Sequence, residues 1–242
     1  MQLYFIRHGQ SNNNAIMDDI ERENYIFHRE PDPYLTSSGY RQADLVAQYL
    51  AKGNGSDRFD SQNREGFGLT HLYCSLMVRS IETGLPISRK TGLPLQAWPE
   101  VHETGGIFEV EKQDGEAILI GTAGPGKSFF TSNFPELVIP EDLPEEGWWN
   151  REKEPRENYP KRAQGIVDKL LEIHGGTGDR VGIVTHGGIF ARILSVVFDV
   201  QAEKYWFLMN NCGISRIDIS DEGRIMLAYM NKVDYLPDDL IT

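Results

Sequence analysis

The sequence has 242 residues, of which 36 are acidic and 24 are basic, so its formal net charge is −12. This charge argues against a general nucleic-acid binder and against a protein that binds anionic membranes, because both need a basic face. Hydrophobic residues make up 40 % and charged residues 25 %, which excludes a disordered chain. The length predicts a single domain over residues 1–242, large enough to fold without a disulfide or a structural metal.

The cysteine usage and the apolar stretches bear on the cellular compartment. Cys74 and Cys212 lie far apart and form no metal-binding spacing, which suits a reducing compartment. The most apolar stretch, residues 189–198, contains Arg192 and is too short to cross a bilayer. The N-terminus has no basic region followed by a long apolar core. We therefore expect a soluble, cytoplasmic protein with no membrane partner.

Strands and helices are predicted to alternate along the chain. The predicted strands cover residues 3–6, 69–74, 94–97 and 180–185, and a β-hairpin covers 214–219 and 224–230. The predicted helices run from a Thr36 N-cap to Gly53, from Ser75 to Gly92, from residue 152 to 174 and from residue 189 to 198. This alternation favours an α/β fold with a mostly parallel sheet.

Two segments do not fit the alternation. Residues 53–68 are polar and glycine-rich, which predicts a loop. Residues 104–150 are dominated by glycine, proline and acidic residues, and we interpret them as an insertion or lid. Trp148 and Trp149 in this segment are expected to serve packing, with direct substrate contact as the alternative.

Polar residues follow several predicted strands at the point where each strand ends. Arg7 and His8 end the first strand, Arg79 lies one turn into the helix after the second, and His186 ends the fourth. Ligands of open α/β sheets bind at the carboxyl ends of the strands, so these side chains are expected to share one crevice. Guanidinium groups bind phosphate oxygens, and a neutral imidazole can attack phosphorus. The pattern therefore favours chemistry on a phosphoryl group.

The motifs around these residues resemble those of the histidine phosphatase superfamily, which has the phosphoglycerate mutase-like fold. The similar motifs are residues 3–11 with Asn14, Leu35-Thr36 with Gly39, Gln42 and Ala43, Ser75 with Arg79 and Thr83, Glu103, and Thr185-His186-Gly187-Gly188. They occur in the order and spacing of the family. The resemblance implies a three-layer α/β/α fold and a metal-independent enzyme without a cofactor.

The resemblance also implies a role for each matching residue. His8 would be the nucleophile that forms a phosphohistidine, and Glu103 would act as general acid and base. Arg7, Arg79 and His186 would hold the phosphoryl oxygens, with Asn14 and Gly187 completing the phosphate site. The implied activity is the hydrolysis of small phosphomonoesters, and the implied partner is a small phosphorylated substrate. The oligomeric state stays open.

Phosphoglycerate mutase activity is the alternative within the same fold. The mutases that depend on bisphosphoglycerate use extra basic residues to hold a second phosphate. Lys112 and Lys127 are the candidates in residues 104–150, but they do not form that pattern. Leu76 replaces the proline with which the family usually begins the helix after Ser75. A third possibility is a catalytically silent protein of this fold that binds a phosphorylated ligand.

A different function is suggested by residues 121–128, which satisfy the P-loop pattern of nucleotide-binding proteins. Pro135 cuts short any helix after Ser128, and no apolar strand ending in aspartate follows to hold magnesium. A flexible lid is the favoured interpretation, in which Lys127 contacts an anionic substrate. Among the other histidines, His102 is expected at the surface, with a place in the pocket lining as the alternative, and His174 is expected at a helix C-terminus. The sequence reveals no partner for His28 or His71.

Overall fold

The computed structural model describes residues 1–19, 22–56, 58–114, 116–201, 204, 205 and 207–242, and for residues 18, 19 and 22–24 it describes the backbone alone. Its main sheet has seven strands: β1 (Gln2–Arg7), β2 (His71–Cys74), β3 (Leu95–Ala97), β6 (Leu137–Val138), β7 (Arg180–Thr185), β8 (Ile214–Ile219) and β9 (Ile225–Lys232). A separate hairpin contains β4 (Phe108–Gln113) and β5 (Glu116–Gly121). The helices are α1 (Asn12–Asp19), α2 (Arg22–His28), α3 (Ser37–Leu50), α4 (Val78–Thr91), α5 (Lys127–Asn133), α6 (Tyr159–His174) and α7 (Gly187–Val197).

The strand order of the main sheet is β6-β3-β2-β7-β1-β8-β9. The pairs from β6 to β1 are all parallel, and β8 and β9 add an antiparallel edge. The prediction of a mostly parallel sheet is therefore confirmed. Because β1, β2 and β7 run in the same direction, the residues that follow them emerge at one edge of the sheet, as the position of the predicted crevice requires.

Side-chain alternation along β1 divides the core into two layers. Tyr4 and Ile6 are buried on the face that packs against α3 and α4, whereas Leu3 and Phe5 are buried on the face that packs against α6 and α7. Both faces of a parallel sheet must be covered, which explains the unbroken apolar run of this strand. The three-layer α/β/α prediction is confirmed.

The helix boundaries show how caps and prolines act. Thr36 Oγ1 accepts a hydrogen bond from the Gly39 amide, as predicted for the N-cap of α3. The prediction that a helix begins at residue 152 is wrong, because α6 begins at Tyr159. Pro155 disfavours helical geometry in the residue before it, and Pro160 fits only the first turn of a helix.

Residues 104–150 contain the β4–β5 hairpin, α5 and the edge strand β6. The second half of this segment is not a loose loop, since Phe130, Leu137, Leu143 and Trp148 join the buried core on the α3–α4 side. Its role as a lid stays a prediction. Among the described residues, no helix combines the length and the apolar character that a membrane crossing requires.

Candidate active site

A cavity of about 480 Å³ opens at the carboxyl ends of β1 and β7. The predicted site residues that line it are Arg7, His8, Asn14, Arg79, Glu103 and Gly187. His186 does not line the cavity, but its ring centroid lies 5.0 Å from that of His8. The fold thus brings together every residue that the sequence predicted for the site.

His8 is buried directly after β1 and has a defined hydrogen-bonding state. Its Nδ1 lies 2.7 Å from the Gly9 carbonyl oxygen, which can only accept a hydrogen bond, so Nδ1 carries the proton. The lone pair therefore lies on Nε2, where the Arg79 Nε–H donates to it over 3.2 Å. Burial, together with the guanidinium groups of Arg79 and Arg7, holds the pKa of His8 well below its usual range. The imidazole is consequently neutral at pH 7.

Four arginines line the cavity among the described residues, Arg7, Arg29, Arg79 and Arg192, and the predicted pair Arg7 and Arg79 acts on His8. Arg7 comes from the end of β1, and its Nη1 donates to the Met209 carbonyl oxygen over 2.6 Å. Arg79 comes from the first turn of α4, and its Nη1 lies 3.4 Å from Oδ1 of Asp32. The Asp32 carboxylate also accepts hydrogen bonds of 3.2 and 3.3 Å from the Val78 amide at the start of α4. Asp32 therefore holds both Arg79 and the helix that carries it.

His186 is fully buried at the start of α7 and bonds to Ser75. Its Nε2 lies 2.7 Å from Ser75 Oγ, and its Nδ1 has no hydrogen-bond partner among the described residues. Burial, followed by the charge of Arg79, holds the pKa of His186 well below its usual range. The sequence predicted a helix that begins at Ser75, but α4 begins at Val78, and the Ser75 hydroxyl contacts the imidazole of His186.

Glu103 closes the other side of the cavity against the first turn of α7. Its carboxylate accepts hydrogen bonds from the backbone amides of Gly188 and Ile189, over 3.1 and 3.0 Å. A third hydrogen bond of 2.7 Å comes from the amide of Thr104. A helix N-terminus presents free N–H groups, and here they fix the position of a carboxylate within the cavity.

Asn14 and Gly187 occupy the rim of the site. Oδ1 of Asn14 accepts hydrogen bonds from Ser11 and from Asn211 Nδ2, each over 3.1 Å, so its amide nitrogen is the group that can donate to an anion. Gly187 begins α7, and a Cβ atom there would meet nothing closer than 3.9 Å. Asn211 also donates to the His8 carbonyl oxygen over 2.9 Å, which ties the loop after β1 to the C-terminal part of the chain.

Sequence reasoning missed Asp32 and Gly188. A single aspartate in a polar loop gives no signal of a partner 47 positions away, although Asp32 stands three residues before the Leu35-Thr36 motif. A Cβ atom on Gly188 would lie 2.3 Å from Glu103 Oε1, so only glycine permits the approach of this carboxylate. The sequence motif contains both Gly187 and Gly188, but the steric requirement for glycine applies to Gly188.

The segment 121–128 does not have the contacts of a nucleotide site. Lys127 Nζ donates to the Glu141 carbonyl oxygen over 2.9 Å, and the Glu145 carboxylate accepts from the Ser128 amide and hydroxyl over 3.0 and 2.7 Å. The groups with which a P-loop holds phosphate are thus engaged within the chain. Lys127 and Lys112 are not among the described residues that line the cavity.

An aromatic cluster is formed by His102, Trp148 and Trp149. Trp148 and Trp149 are buried, which agrees with the packing interpretation. His102 is buried as well, with its ring 4.8 Å from that of Trp149, so the expectation of a surface histidine is wrong. The cluster supports the chain directly before Glu103.

Known structures share the fold over almost the whole chain. A phosphoserine phosphatase of Entamoeba histolytica, crystallised with 3-phosphoglyceric acid, is 18 % identical with a TM-score of 0.57 and covers 98 % of this chain and 99 % of its own. An alpha-ribazole phosphatase of Shigella flexneri is 21 % identical with a TM-score of 0.56, and coverage is 96 % of each chain. A mycobacterial glucosyl-3-phosphoglycerate phosphatase is 18 % identical with a TM-score of 0.57, covering 96 % of this chain and 99 % of its own.

Comparison at the sequence level gives the family. No curated protein matches the chain in sequence. The family described as histidine phosphatase superfamily (branch 1) matches residues 3–118 and 132–232, which include all the motifs on which the resemblance depended. The chain therefore belongs to the histidine phosphatase superfamily.

Proposed function

We propose that the protein is a metal-independent phosphatase that hydrolyses small phosphomonoesters through a phosphohistidine on His8. The observation that carries this proposal is the state of the His8 ring. Its proton is held on Nδ1 by the Gly9 carbonyl oxygen. Its Nε2 atom, which carries the lone pair, lies in the cavity, 3.2 Å from Arg79 Nε. A neutral imidazole with a free lone pair beside a cation suits attack on a phosphoryl group.

In the first step, the phosphoryl group would take the place at Nε2 that Arg79 now occupies. Arg7, Arg79, His186 and the amide nitrogen of Asn14 would donate to its oxygens and stabilise the charge that develops on them. The Nε2–P bond of His8 forms as the bond from phosphorus to the ester oxygen breaks. Two guanidinium groups supply the positive charge that a metal ion supplies in other phosphoryl-transfer sites.

Glu103 would manage the proton in both steps. Its protonated carboxyl group gives the proton to the ester oxygen as that oxygen leaves. The carboxylate then takes a proton from a water molecule, whose oxygen attacks phosphorus while the N–P bond breaks. The backbone amides of Gly188 and Ile189 fix the carboxylate at the cavity wall, so proton transfer needs no rearrangement of the main chain.

The cavity supports a small substrate. Its volume of about 480 Å³ is at the lower end of small-molecule sites, and Tyr25, Phe207 and Leu208 give part of its wall an apolar character. The three phosphatases with the same fold carry names that specify small phosphorylated compounds. Both free cysteines are buried thiols, which supports a cytoplasmic location.

The experiment is hydrolysis of an aryl phosphate in excess EDTA, measured with the wild type, His8→Ala and His28→Ala. We expect the wild type and His28→Ala to release phosphate equally, because His28 is an exposed histidine outside the cavity lining. His8→Ala is expected to lose at least about 1000-fold in turnover, since no second histidine stands among the described residues that line the cavity. Trapping with labelled substrate should label the wild type and leave His8→Ala unlabelled.

Each other result points to another function. Full activity in His8→Ala would overturn the mechanism. Transfer of the phosphoryl group to a second position of a phosphoglycerate, rather than to water, would identify a mutase. Binding of a phosphorylated ligand without turnover, across a panel of substrates, would identify a silent binder.

A further inference from the structure

Two histidines outside the active site lie together at the opposite end of the parallel strands of the main sheet. His71 begins β2, His174 ends α6, and Asp179 stands directly before β7. The starts of the parallel strands β2 and β7 are neighbours, with His71 in register with Val181. The proposed catalytic residues follow the carboxyl ends of these strands, so the two groups of residues are separated by the length of the strands.

The three side chains offer one ligand atom each within 4.8 Å of one another. Asp179 Oδ2 lies 2.8 Å from Nδ1 of His174 and 3.9 Å from Nδ1 of His71. Ligand atoms around a tetrahedral zinc ion are about 3.3–3.6 Å apart, as bond lengths of about 2.0–2.2 Å require. The two observed distances lie on both sides of this spacing, and the atoms of the two imidazoles are at most 4.8 Å apart, so the separations must change by up to about 1.5 Å to coordinate an ion.

The surroundings of the cluster also fit a metal site. His174 is fully buried, and its Nε2 lies 3.3 Å from the Tyr73 hydroxyl, so its second ring nitrogen has the kind of partner that orients metal-bound imidazoles. The side chains of His71 and Asp179 are 34 % and 26 % exposed, which gives an ion a path from solvent and a place for water as fourth ligand. Two imidazoles and one carboxylate suit Zn²⁺ and neighbouring transition metals, not Mg²⁺ or Ca²⁺.

We propose that His71, His174 and Asp179 form a binding site for a divalent transition-metal ion of the Zn²⁺ class. The ion would join the C-terminus of α6 to the starts of β2 and β7. It would stabilise the contact between these three elements and would take no part in phosphoryl transfer at the carboxyl ends of the strands. This inference is independent of the proposed catalytic function.

The test is calorimetric titration of the metal-free full chain with Zn²⁺ alone, together with the melting temperature with and without zinc. We expect one zinc ion per chain and a rise in melting temperature, because an ion that binds only the folded state stabilises it. His71→Ala and Asp179→Asn should bind zinc at least tenfold more weakly and lose the rise. Both replace partly exposed side chains, whereas a change at the buried His174 would also disturb packing.

Two control variants separate this site from other histidines. His28→Ala removes an exposed histidine elsewhere, and His8→Ala removes an imidazole of the catalytic cavity. Both are expected to bind zinc as the wild type does. The proposal is overturned if His71→Ala binds zinc with wild-type affinity, if the wild type binds none, or if His8→Ala alone loses the ion.

Discussion

The Ser75 hydroxyl oxygen lies 2.7 Å from Nε2 of His186, and both groups are fully buried. The same hydroxyl oxygen accepts a hydrogen bond of 3.3 Å from the Met77 amide, so its own proton is available to the imidazole. When Ser75 donates to Nε2, the ring proton of neutral His186 must lie on Nδ1. That nitrogen has no partner among the described residues and can donate to a phosphoryl oxygen.

Replacing Ser75 should therefore weaken the role proposed for His186. In Ser75→Ala the imidazole is free to adopt the other tautomer, and we expect kcat/KM to fall by about 10–100-fold. The check is a double-mutant cycle with His186→Ala. Because Ser75 acts through His186, adding Ser75→Ala to His186→Ala should cost less than about threefold more. Independent, multiplicative losses would contradict this relationship.

Gly188→Ala should disable the site more severely than Gly187→Ala. The added Cβ at position 188 would lie 2.3 Å from Glu103 Oε1 and 2.5 Å from Thr104 Oγ1, so the carboxylate must move. At position 187 the nearest atom is 3.9 Å away. We expect kcat to fall by about 100-fold or more in Gly188→Ala and by about tenfold or less in Gly187→Ala. Circular dichroism of both variants would establish that each is folded, and equal losses would refute the steric argument.

Glu103→Gln should separate the two steps of the proposed reaction. The amide cannot give a proton to a leaving oxygen, so alkyl phosphates, which have poor leaving groups, should lose more activity than aryl phosphates. The amide also cannot take a proton from water, so labelled phosphoenzyme should accumulate with an aryl phosphate. Rapid-quench measurements with both substrate types would show this. Equal losses with both substrates and no accumulation would remove Glu103 from the proton transfers.

Asp32→Asn should change the dependence of stability on pH. Burial raises the pKa of Asp32 from its ordinary value of 3.8 to about 6, although Arg79 opposes this shift. The stability that protonated Asp32 contributes is present below pH 3.8 and is lost as pH rises through about 6. The variant has no such proton, so its free energy of unfolding relative to the wild type should rise by roughly 2–3 kcal/mol between about pH 4 and pH 7.

Urea unfolding at several pH values would measure this difference, with Asp179→Asn in EDTA as the matched control. A hydrogen bond from His174 lowers the pKa of Asp179, so its contribution is present at neutral pH and is lost as pH falls. The stability of Asp179→Asn relative to the wild type should therefore fall as pH rises, opposite to Asp32→Asn. The same trend in both variants would contradict the raised pKa of Asp32.

Much of the fold follows from local patterns in the sequence. The apolar run before Arg7 predicted a buried strand, which is β1, and Thr36 caps α3 as predicted. The motifs at the ends of β1, β2 and β7 predicted one site, because parallel strands place their carboxyl ends together. His8 and Arg79 could be named because they follow predicted strands in motifs that resemble those of the family, whereas Glu103 could be named only because it stands where the family places its acid.

Other features depend on contacts that no local pattern reveals. The burial of His102 depends on Trp149, which lies 47 positions later. The contact of Asp32 with Arg79 joins a loop to a helix that begins far along the chain. The strand β6 has two residues, too few for a periodic signal, so its place at the sheet edge comes only from pairing with β3.

The central position of β1 also decides when the protein can fold during its synthesis. The neighbours of β1 in the sheet are β7 and β8, and Gln2 pairs with Arg180. Ribosomes add about 5–20 residues per second, so the first strand waits roughly 10–35 s before either neighbour has been made. During that time Leu3 and Phe5 have no sheet to enter, and pairing across such a long stretch of chain is intrinsically slow. His8 can take up its position only after β7 has left the ribosome, because the His8 amide donates to the Thr185 carbonyl oxygen, which makes β1 of the nascent chain a candidate for chaperone binding.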